Sequence, residues 1–219
     1  MIQPVARAPA SPQPATKPLV VVVEDDEGVR ESLGSLFRSV DLEARLFGSA
    51  AELLAQTLPD TPGCIVLDVR LPGVSGLDFQ DQLVRLGIGL PVVFMTGHGD
   101  IPMSVRAMKA GAVDFLPKPF RDQDMLDAVT AAIARDAKRR SKQGAQEDLK
   151  ALYAALTPRE QEIMAQVTAG LMNKQVAGNL GLSEITVKIH RGNVMRKMKA
   201  KSLAELVRQA QTLGISSQQ

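Results

Sequence analysis

Four apolar runs in this chain each end on a side chain capable of chemistry. Val20–Val23 leads into Glu24-Asp25-Asp26, Cys64–Leu67 into Asp68, Phe94-Met95 into Thr96, and Phe115-Leu116-Pro117 into Lys118. A carboxylate at the mouth of a buried strand is costly unless something positive meets it. Gathered in one place, these residues would supply several acids, one hydroxyl and one ammonium. Crowded carboxylates repel unless a cation neutralises them. All-oxygen ligands with open positions suit Mg²⁺, which keeps waters and shares phosphate oxygens. Lys118 can hold a phosphoryl oxygen as a point charge, and Thr96 can donate to another. Asp68 then reads as a nucleophile toward phosphorus. Singly, each residue has an ordinary explanation, since a strand-end Asp is commonly a helix cap or a solvated loop residue. The conjunction at successive strand ends points to chemistry.

The elements that must position these groups alternate. Strand-like runs occur at Leu19–Val23, Leu42–Phe47, Cys64–Leu67, Pro91–Met95 and Val113–Leu116. Helical patterns follow each: Val29/Leu33/Leu36/Phe37, Leu53/Leu54, Leu77/Phe79/Leu83/Leu86, Val105/Ala107/Met108 and Met125/Leu126/Val129/Ile133. Five βα units of this length predict an α/β doubly wound parallel sheet. Its ligands belong outside the C-terminal strand ends, where Asp68 falls. Pro72, Gly73 and Gly76 after Asp68 read as breakers that keep the chain out of regular structure.

Charge is divided along the chain. Residues 1–136 hold 12 Lys/Arg against 18 Asp/Glu, whereas residues 137–219 hold 14 against 6. Two modules with different partners follow, the basic one being the nucleic-acid candidate. Residues 1–18, rich in Pro and Ala, read as a disordered tail without the apolar core of a signal peptide. No run approaches the roughly 20 apolar residues of a membrane span, so no membrane partner is expected. The single cysteine, Cys64, reads as a buried hydrophobe and fits a reducing, cytoplasmic setting. An α/β unit is expected over 19–135, a helical linker over 136–152 with Gly144 as its weak point, and an all-helical unit over 153–219.

In that last unit, Thr157-Pro158-Arg159-Glu160 is a capping box with Pro at the first helical position, and Ser202 with Glu205 reads as a second box. Ala177, Gly181 and Val187 have the spacing of a helix-turn-helix, with Gly supplying the turn. Ser183 caps the second helix. At 100° per residue, Val187, Val194 and Met198 face inward with His190 beside them. Ile185, Lys188, Ile189, Gly192, Asn193 and Arg196 face outward. Asn can read adenine, Lys guanine and Ile a thymine methyl. Gly192 permits close approach, and Lys174, Thr186, Arg191 and Arg196 are candidates for phosphate contact. His190 reads as a packed, hydrogen-bonded residue rather than a base reader.

The stretches VVVEDDEGVR, VLDVRLPGVSG and FMTGHGDIPMSVRAMKAGAVDFLPKPF resemble the response-regulator receiver domain of two-component signalling, in its FixJ-type subgroup. LTPREQEI and GLMNKQVAGNLGLSEITVKIHRGNVMRKM resemble the LuxR/NarL-type DNA-binding domain, a four-helix module. The resemblance implies a flavodoxin-like sheet of order 2-1-3-4-5. It implies Asp68 phosphorylated by a sensor histidine kinase, and Mg²⁺ held by Glu24, Asp25, Asp68 and the backbone carbonyl of Arg70. Asp26 is a register rival of the metal pair. Thr96 and Lys118 would contact the phosphoryl oxygens, Thr96 and Phe115 would act as switch residues, and Lys118-Pro119 resembles the family's cis peptide. A homodimer on double-stranded promoter DNA, contact with RNA polymerase and activation of transcription are further implications.

Two rivals stand beside this phosphorylation-controlled transcription factor. An Mg²⁺-dependent phosphohydrolase could also use a strand-end Asp, but it needs a second Asp two residues on, where this chain has Arg70. A phosphorylation-independent scaffold would require a degenerate acidic site. His98, after Thr96, reads as a solvated loop residue.

Overall fold

The computed structural model describes residues 17–97 and 101–215; His98 and residues 1–16 of the Pro/Ala-rich tail lie outside them. The chain divides after Arg140 into two compact units.

The first unit contains, in order, β1 (Leu19–Val23), α1 (Glu27–Ser39), β2 (Glu43–Phe47), α2 (Ala50–Leu54), β3 (Gly63–Asp68), β4 (Arg70–Leu71) and β5 (Val74–Ser75). There follow α3 (Gly76–Arg85), β6 (Val92–Thr96), α4 (Ile101–Lys109), β7 (Asp114–Pro117) and the start of α5 (Asp122–Ala154). Five strands pair in parallel in the order β2-β1-β3-β6-β7. With the β4–β5 hairpin set aside, this is the expected 2-1-3-4-5 doubly wound sheet.

Alternation along the strands builds two cores, because successive side chains leave a strand on opposite faces. Val21, Val23, Ile65, Leu67 and Phe94 pack with Leu53, Phe79, Leu83 and Ala107 from α2, α3 and α4. Val20, Val22, Val66, Val93 and Met95 pack with Leu33 and Phe37 of α1 and Met125 and Val129 of α5. A sheet covered on both faces makes its central strands continuously apolar, which is why β1 and β3 are such legible runs. Not every apolar residue in the helical patterns turns inward. Leu86 ends α3 57% exposed, and Val105 and Met108 on α4 are also exposed.

The segment after Asp68 departs from the expectation of irregular chain. Arg70 and Leu71 pair with Ser75 and Val74 in a small antiparallel hairpin turned by Gly73 at φ +82°. Gly76 opens α3 rather than breaking structure. Its amide donates to the Val69 carbonyl at 2.8 Å. A Cβ there would stand 2.4 Å from the Asp68 carbonyl oxygen and 2.9 Å from Val69 Cα. Glycine is therefore required by contact with the backbone beneath it.

Helix α5 runs without interruption through Gly144 to Ala154. Its residue Asp136, fully buried, fastens it to the foot of β3. Asp136 Oδ2 accepts from the Gly63 amide at 3.1 Å and from Arg140 at 2.7 Å, and Oδ1 accepts from Arg139 at 2.6 Å. Arg140 also pairs with Asp60. Burial opposes ionisation of Asp136, but the hydrogen bonds from Arg140, Arg139 and Gly63 outweigh it and hold the carboxyl below its usual range. Cys64, fully buried one residue along β3, has its thiol pushed up to about 12 by burial, with the charge of Asp136 adding. The Lys118-Pro119 peptide is cis.

The second unit comprises α6 (Pro158–Thr168), α7 (Asn173–Leu180), α8 (Glu184–Lys197) and α9 (Leu203–Thr212), with the last turns of α5 packed beside them. Ile163, Val167, Val176, Ala177 and Val187 form one core, and Met164, Val194, Met198, Leu206 and Ala210 another. The anticipated box at Ser202 is formed in part. Ser202 accepts from the Glu205 amide, while the Glu205 carboxylate reaches back to the Lys201 amide, one residue earlier.

Two glycines yield opposite expectations. Gly76→Ala lowers stability by about 1–3 kcal/mol through overpacking. Gly144→Ala, in open space on a helix, raises it by up to about 1 kcal/mol. The shift of the urea midpoint in each variant checks both signs.

Candidate functional site

Parallel pairing brings the C-terminal ends of β1, β3, β6 and β7 side by side. Val23 lies opposite Leu67, Asp68 opposite Met95, and Thr96 opposite Pro117. The side chains that follow are thereby concentrated at one edge. Glu24 is buried, Asp68 is 7% exposed, Thr96 is fully buried and Asp25 is open to solvent. One carboxylate oxygen each from Glu24, Asp25 and Asp68 lies within 4.8 Å of the others, a set of hard oxygen donors fit for a divalent cation.

Lys118 reaches into this group. Its Nζ donates to Glu24 Oε2 at 2.5 Å and to Asp68 Oδ2 at 2.6 Å. Asp68 Oδ1 accepts from the Arg70 amide at 2.8 Å. Burial, with the charge of Asp68 adding, holds the Glu24 carboxyl above its usual range despite the hydrogen bond from Lys118. Burial pulls the Lys118 ammonium down, but the hydrogen bonds and charges of Asp68 and Glu24 outweigh it and hold it above its ordinary value. The direct Lys118–Glu24 contact is not visible in the sequence, where the two residues lie 94 positions apart.

Asp26 is turned to another task. As N-cap of α1 it accepts from the Val29 amide at 2.9 Å. The Lys118 amide donates to the Thr96 carbonyl at 2.6 Å, fixing β7's end to that of β6. Half-buried Phe115 lies 6.5 Å from Phe94, ring to ring, at 50°. Arg70, at the hairpin's start, keeps its side chain in solvent. The structure thus brings Glu24, Asp25, Asp68, Thr96, Lys118 and the Arg70 backbone together.

In the second unit Gly181, at φ +64°, closes α7 in the left-handed conformation. The Ser183 hydroxyl accepts from the Thr186 amide at 3.1 Å and lies 2.8 Å from the Thr186 hydroxyl, so Thr186 is engaged in the cap of α8. Val187, Val194 and Met198 are buried, while Ile185 is 74% and Ile189 60% exposed, with Lys188, Gly192 and Arg196 open beside them. Half-buried Asn193 accepts at Oδ1 from Arg196 at 3.2 Å, an exposed pair one helical turn apart. Arg191 donates to Asn173 at 3.2 Å, bridging α8 to α7, and Lys174 is exposed near the start of α7. His190 is half-buried, but its Nδ1 is buried without a hydrogen-bond partner among the described residues.

Glu160 holds α8 in place. Its carboxylate accepts from the Thr157 amide at 2.8 Å, completing the capping box of α6, and from Lys197 Nζ at 2.6 Å. One buried acid therefore starts α6 and pins the last turn of α8. The capping half was legible in TPRE; the ion pair was not, because Lys197 resembles every other base of the run MRKMKAK.

Residues 20–130 match the response regulator receiver domain family, and residues 154–210 match the luxR family of bacterial regulatory proteins. The chain is 63% identical over 203 residues to nodulation protein W of Bradyrhizobium diazoefficiens, covering 93% of this chain and 89% of that protein. It is 46% identical over 195 residues to response regulator protein TodT of Pseudomonas putida, covering 89% and 86%. The solved structure of response regulator StyR superposes with a TM-score of 0.81 at 49% identity, covering 89% of this chain and 98% of that one. A receiver joined in one chain to a helix-turn-helix defines a DNA-binding transcriptional regulator, not a conventional enzyme. The chain belongs to the response regulators, with a luxR-type DNA-binding domain as its second unit.

Burial opposes ionisation of Glu160, but the hydrogen bonds from Lys197 and the Thr157 amide outweigh it and hold its carboxyl below the usual range. A depressed folded pKa gives stability that is present above the unfolded value and lost as pH falls through the folded one. Glu160→Gln should destabilise the helical unit by about 1–2 kcal/mol at neutral pH. The deficit should narrow as the pH is taken below the ordinary range of Glu. Urea titrations of both proteins at neutral and acid pH check the convergence.

Proposed function

We propose that Asp68 accepts a phosphoryl group from a sensor histidine kinase. One oxygen of Asp68 bonds to phosphorus as the P–N bond of the kinase phosphohistidine breaks, and the imidazole leaves with the bonding pair. The observation that carries this reading is the position of Lys118, at 2.6 Å from Asp68 Oδ2. It sets a permanent cation beside the oxygen that would receive the phosphoryl. Thr96, at the end of the neighbouring strand, would donate its hydroxyl to another phosphoryl oxygen.

Glu24, Asp25, Asp68 and the Arg70 carbonyl would hold Mg²⁺. Their oxygen chemistry fits the ion, and receiver domains bind Mg²⁺ through such acids. When bound, it supplies positive charge to the phosphoryl oxygens. Arg70 occupies the place where the hydrolase chemistry needs a second acid, so external substrates would not be turned over, while the acyl phosphate on Asp68 would hydrolyse slowly.

Phosphorylation adds roughly 1.5–2 negative charges at neutral pH. Thr96 and Phe115 are the residues proposed to convert it into a changed surface. Phe115 is suited to this because its ring is half-buried at the sheet's outer strand. The altered surface would favour a homodimer, which binds double-stranded promoter DNA, contacts RNA polymerase and activates transcription in the cytoplasm. Among the described residues no helix is long and apolar enough to cross a membrane. Support for the DNA step comes from the exposed row Ile185, Lys188, Ile189, Gly192 and Arg196 on α8. Asn193 would read adenine after giving up Arg196, which is inexpensive for an exposed pair. Lys174, Thr186, Arg191 and Arg196 are the proposed phosphate contacts.

Asp68→Asn preserves shape and removes the nucleophile. It should keep the circular dichroism of the parent and take up no label from radioactive acetyl phosphate; label retained on the variant would move the acceptor elsewhere. Lys188→Ala should weaken operator binding by about 1–3 kcal/mol and relax preference at one base pair. Footprinting on a set of operator variants measures this, and an unchanged preference would remove Lys188 from the reading face. For the parent, log affinity should fall steeply with log salt.

A further inference from the structure

Helix α5 carries a run of positive charge on either side of the division after Arg140. Five bases, Arg135, Lys138, Arg139, Arg140 and Lys142, fall within eight residues. The one acid between Asp127 and Glu147 is Asp136, which is fully buried and engaged by Gly63, Arg139 and Arg140. Arg135, Lys138 and Lys142 are exposed, and no hydrogen bond or ion pair engages their side chains among the described residues.

At 3.6 residues per turn these three share one face, at positions i, i+3 and i+7, in a row about 10 Å long. Asp136 lies about 100–160° round the helix from them, too far round to neutralise the row. Like charges at i, i+3 and i, i+4 weaken a helix, so Arg135 beside Lys138, and Lys138 beside Lys142, cost stability in the isolated chain. A helix face that only meets water ordinarily interleaves both signs, as Arg121 and Asp124 do where α5 begins. A one-sided basic row on a helix is instead the electrostatic footprint of a nucleic-acid contact.

The polyanion it meets follows from the same helix. Seven residues beyond Lys142, Leu149 of α5 packs against the core of the luxR-type unit. Residues 1–136 carry 18 Asp/Glu against 12 Lys/Arg, an excess that a duplex repels. We infer that Arg135, Lys138 and Lys142 form a second DNA-contacting surface, one that holds backbone phosphates without regard to base sequence. A row of this length matches about three phosphates of one strand, which recur every 3.4 Å or so of duplex axis. The inference rests on DNA binding by the luxR-type unit, not on which α8 residues touch bases.

The test uses the full, unphosphorylated chain and a random-sequence duplex of roughly 40 base pairs, with fluorescence anisotropy recorded between about 50 and 200 mM KCl. Arg135→Gln, Lys138→Gln and Lys142→Gln are combined, because Gln keeps the helix propensity and removes the charge. The plot of log affinity against log salt should become shallower than the parent's by about 2–3. Affinity should fall about tenfold or more at the lowest salt, the two proteins converging as salt rises. Lys138→Gln alone should change the slope by about 1, and it serves if circular dichroism shows that the triple variant has lost helix. A protein with Arg85→Gln, Arg106→Gln and Lys109→Gln loses the same charge from exposed positions on α3 and α4, and should keep the parent's slope. An unchanged slope in the α5 variants would overturn the assignment. So would an equal loss in the α3 and α4 variant, which would reduce the effect to net charge. This slope and the Lys188→Ala footprint fail separately, since only the footprint depends on base preference.

Discussion

One ammonium between two buried carboxylates holds the functional edge of the receiver together. Lys118 arrives from the end of β7, Glu24 from β1 and Asp68 from β3, so the pair of short contacts ties three strands by charge as well as by the backbone ladder. Without that ammonium, Glu24 would be a buried acid beside Asp68, its carboxylate keeping only the Asp26 amide as a hydrogen-bond donor among the described residues, a costly state. With it, two carboxylates still face one ammonium, and Asp25 adds a third from the solvent side. A set of oxygen donors in that condition is chemically fit for a divalent cation. The apolar strands behind it, buried on both faces, keep the charges from drifting apart.

The helical unit repeats the device for a different purpose. Glu160 is again a buried acid met by a lysine, but here the acid also caps a helix. The consequence is positional: the row of exposed residues on α8 is aimed by contacts at both its ends, the Ser183 cap at the start and the Lys197 pin at the finish. Gly181 sets the angle at which α8 leaves α7, and Arg191 bonded to Asn173 reinforces it. These ties fix that row without engaging Ile185, Lys188, Ile189 or Gly192.

The sheet was legible because burial on both faces writes itself as unbroken Val, Ile and Leu runs. Strand limits moved by a residue or so. Asp68 and Thr96 prove to be the last residues of their strands rather than the first beyond them. The hairpin after Asp68 was not legible. Each of its strands is two residues long, too short for a periodic signal, and Gly76 was read as a breaker because a glycine demanded by close backbone approach looks the same in sequence as one demanded by a turn. The composition of the acidic cluster could be read from strand ends, since parallel register lines those ends up. The pairing within it could not, because which oxygen Lys118 reaches depends on three-dimensional spacing. The same holds for Asp136. It lies in a charged run that reads as linker, yet it is fully buried against Gly63. On α8, His190 was expected to be packed and hydrogen-bonded; packing is present, but no partner for Nδ1 is found among the described residues.

Cys64 lies four residues before Asp68, in the middle of the sheet, with its thiol raised to about 12. At neutral pH only about one thiol in 10⁵ is ionised at such a value, and the thiolate is the reactive form. With no other cysteine in the chain, the sulfur is silent toward alkylating reagents while β3 stays sealed. The chain thus carries its own probe for the opening of that strand, read as the mass of an alkyl adduct on Cys64.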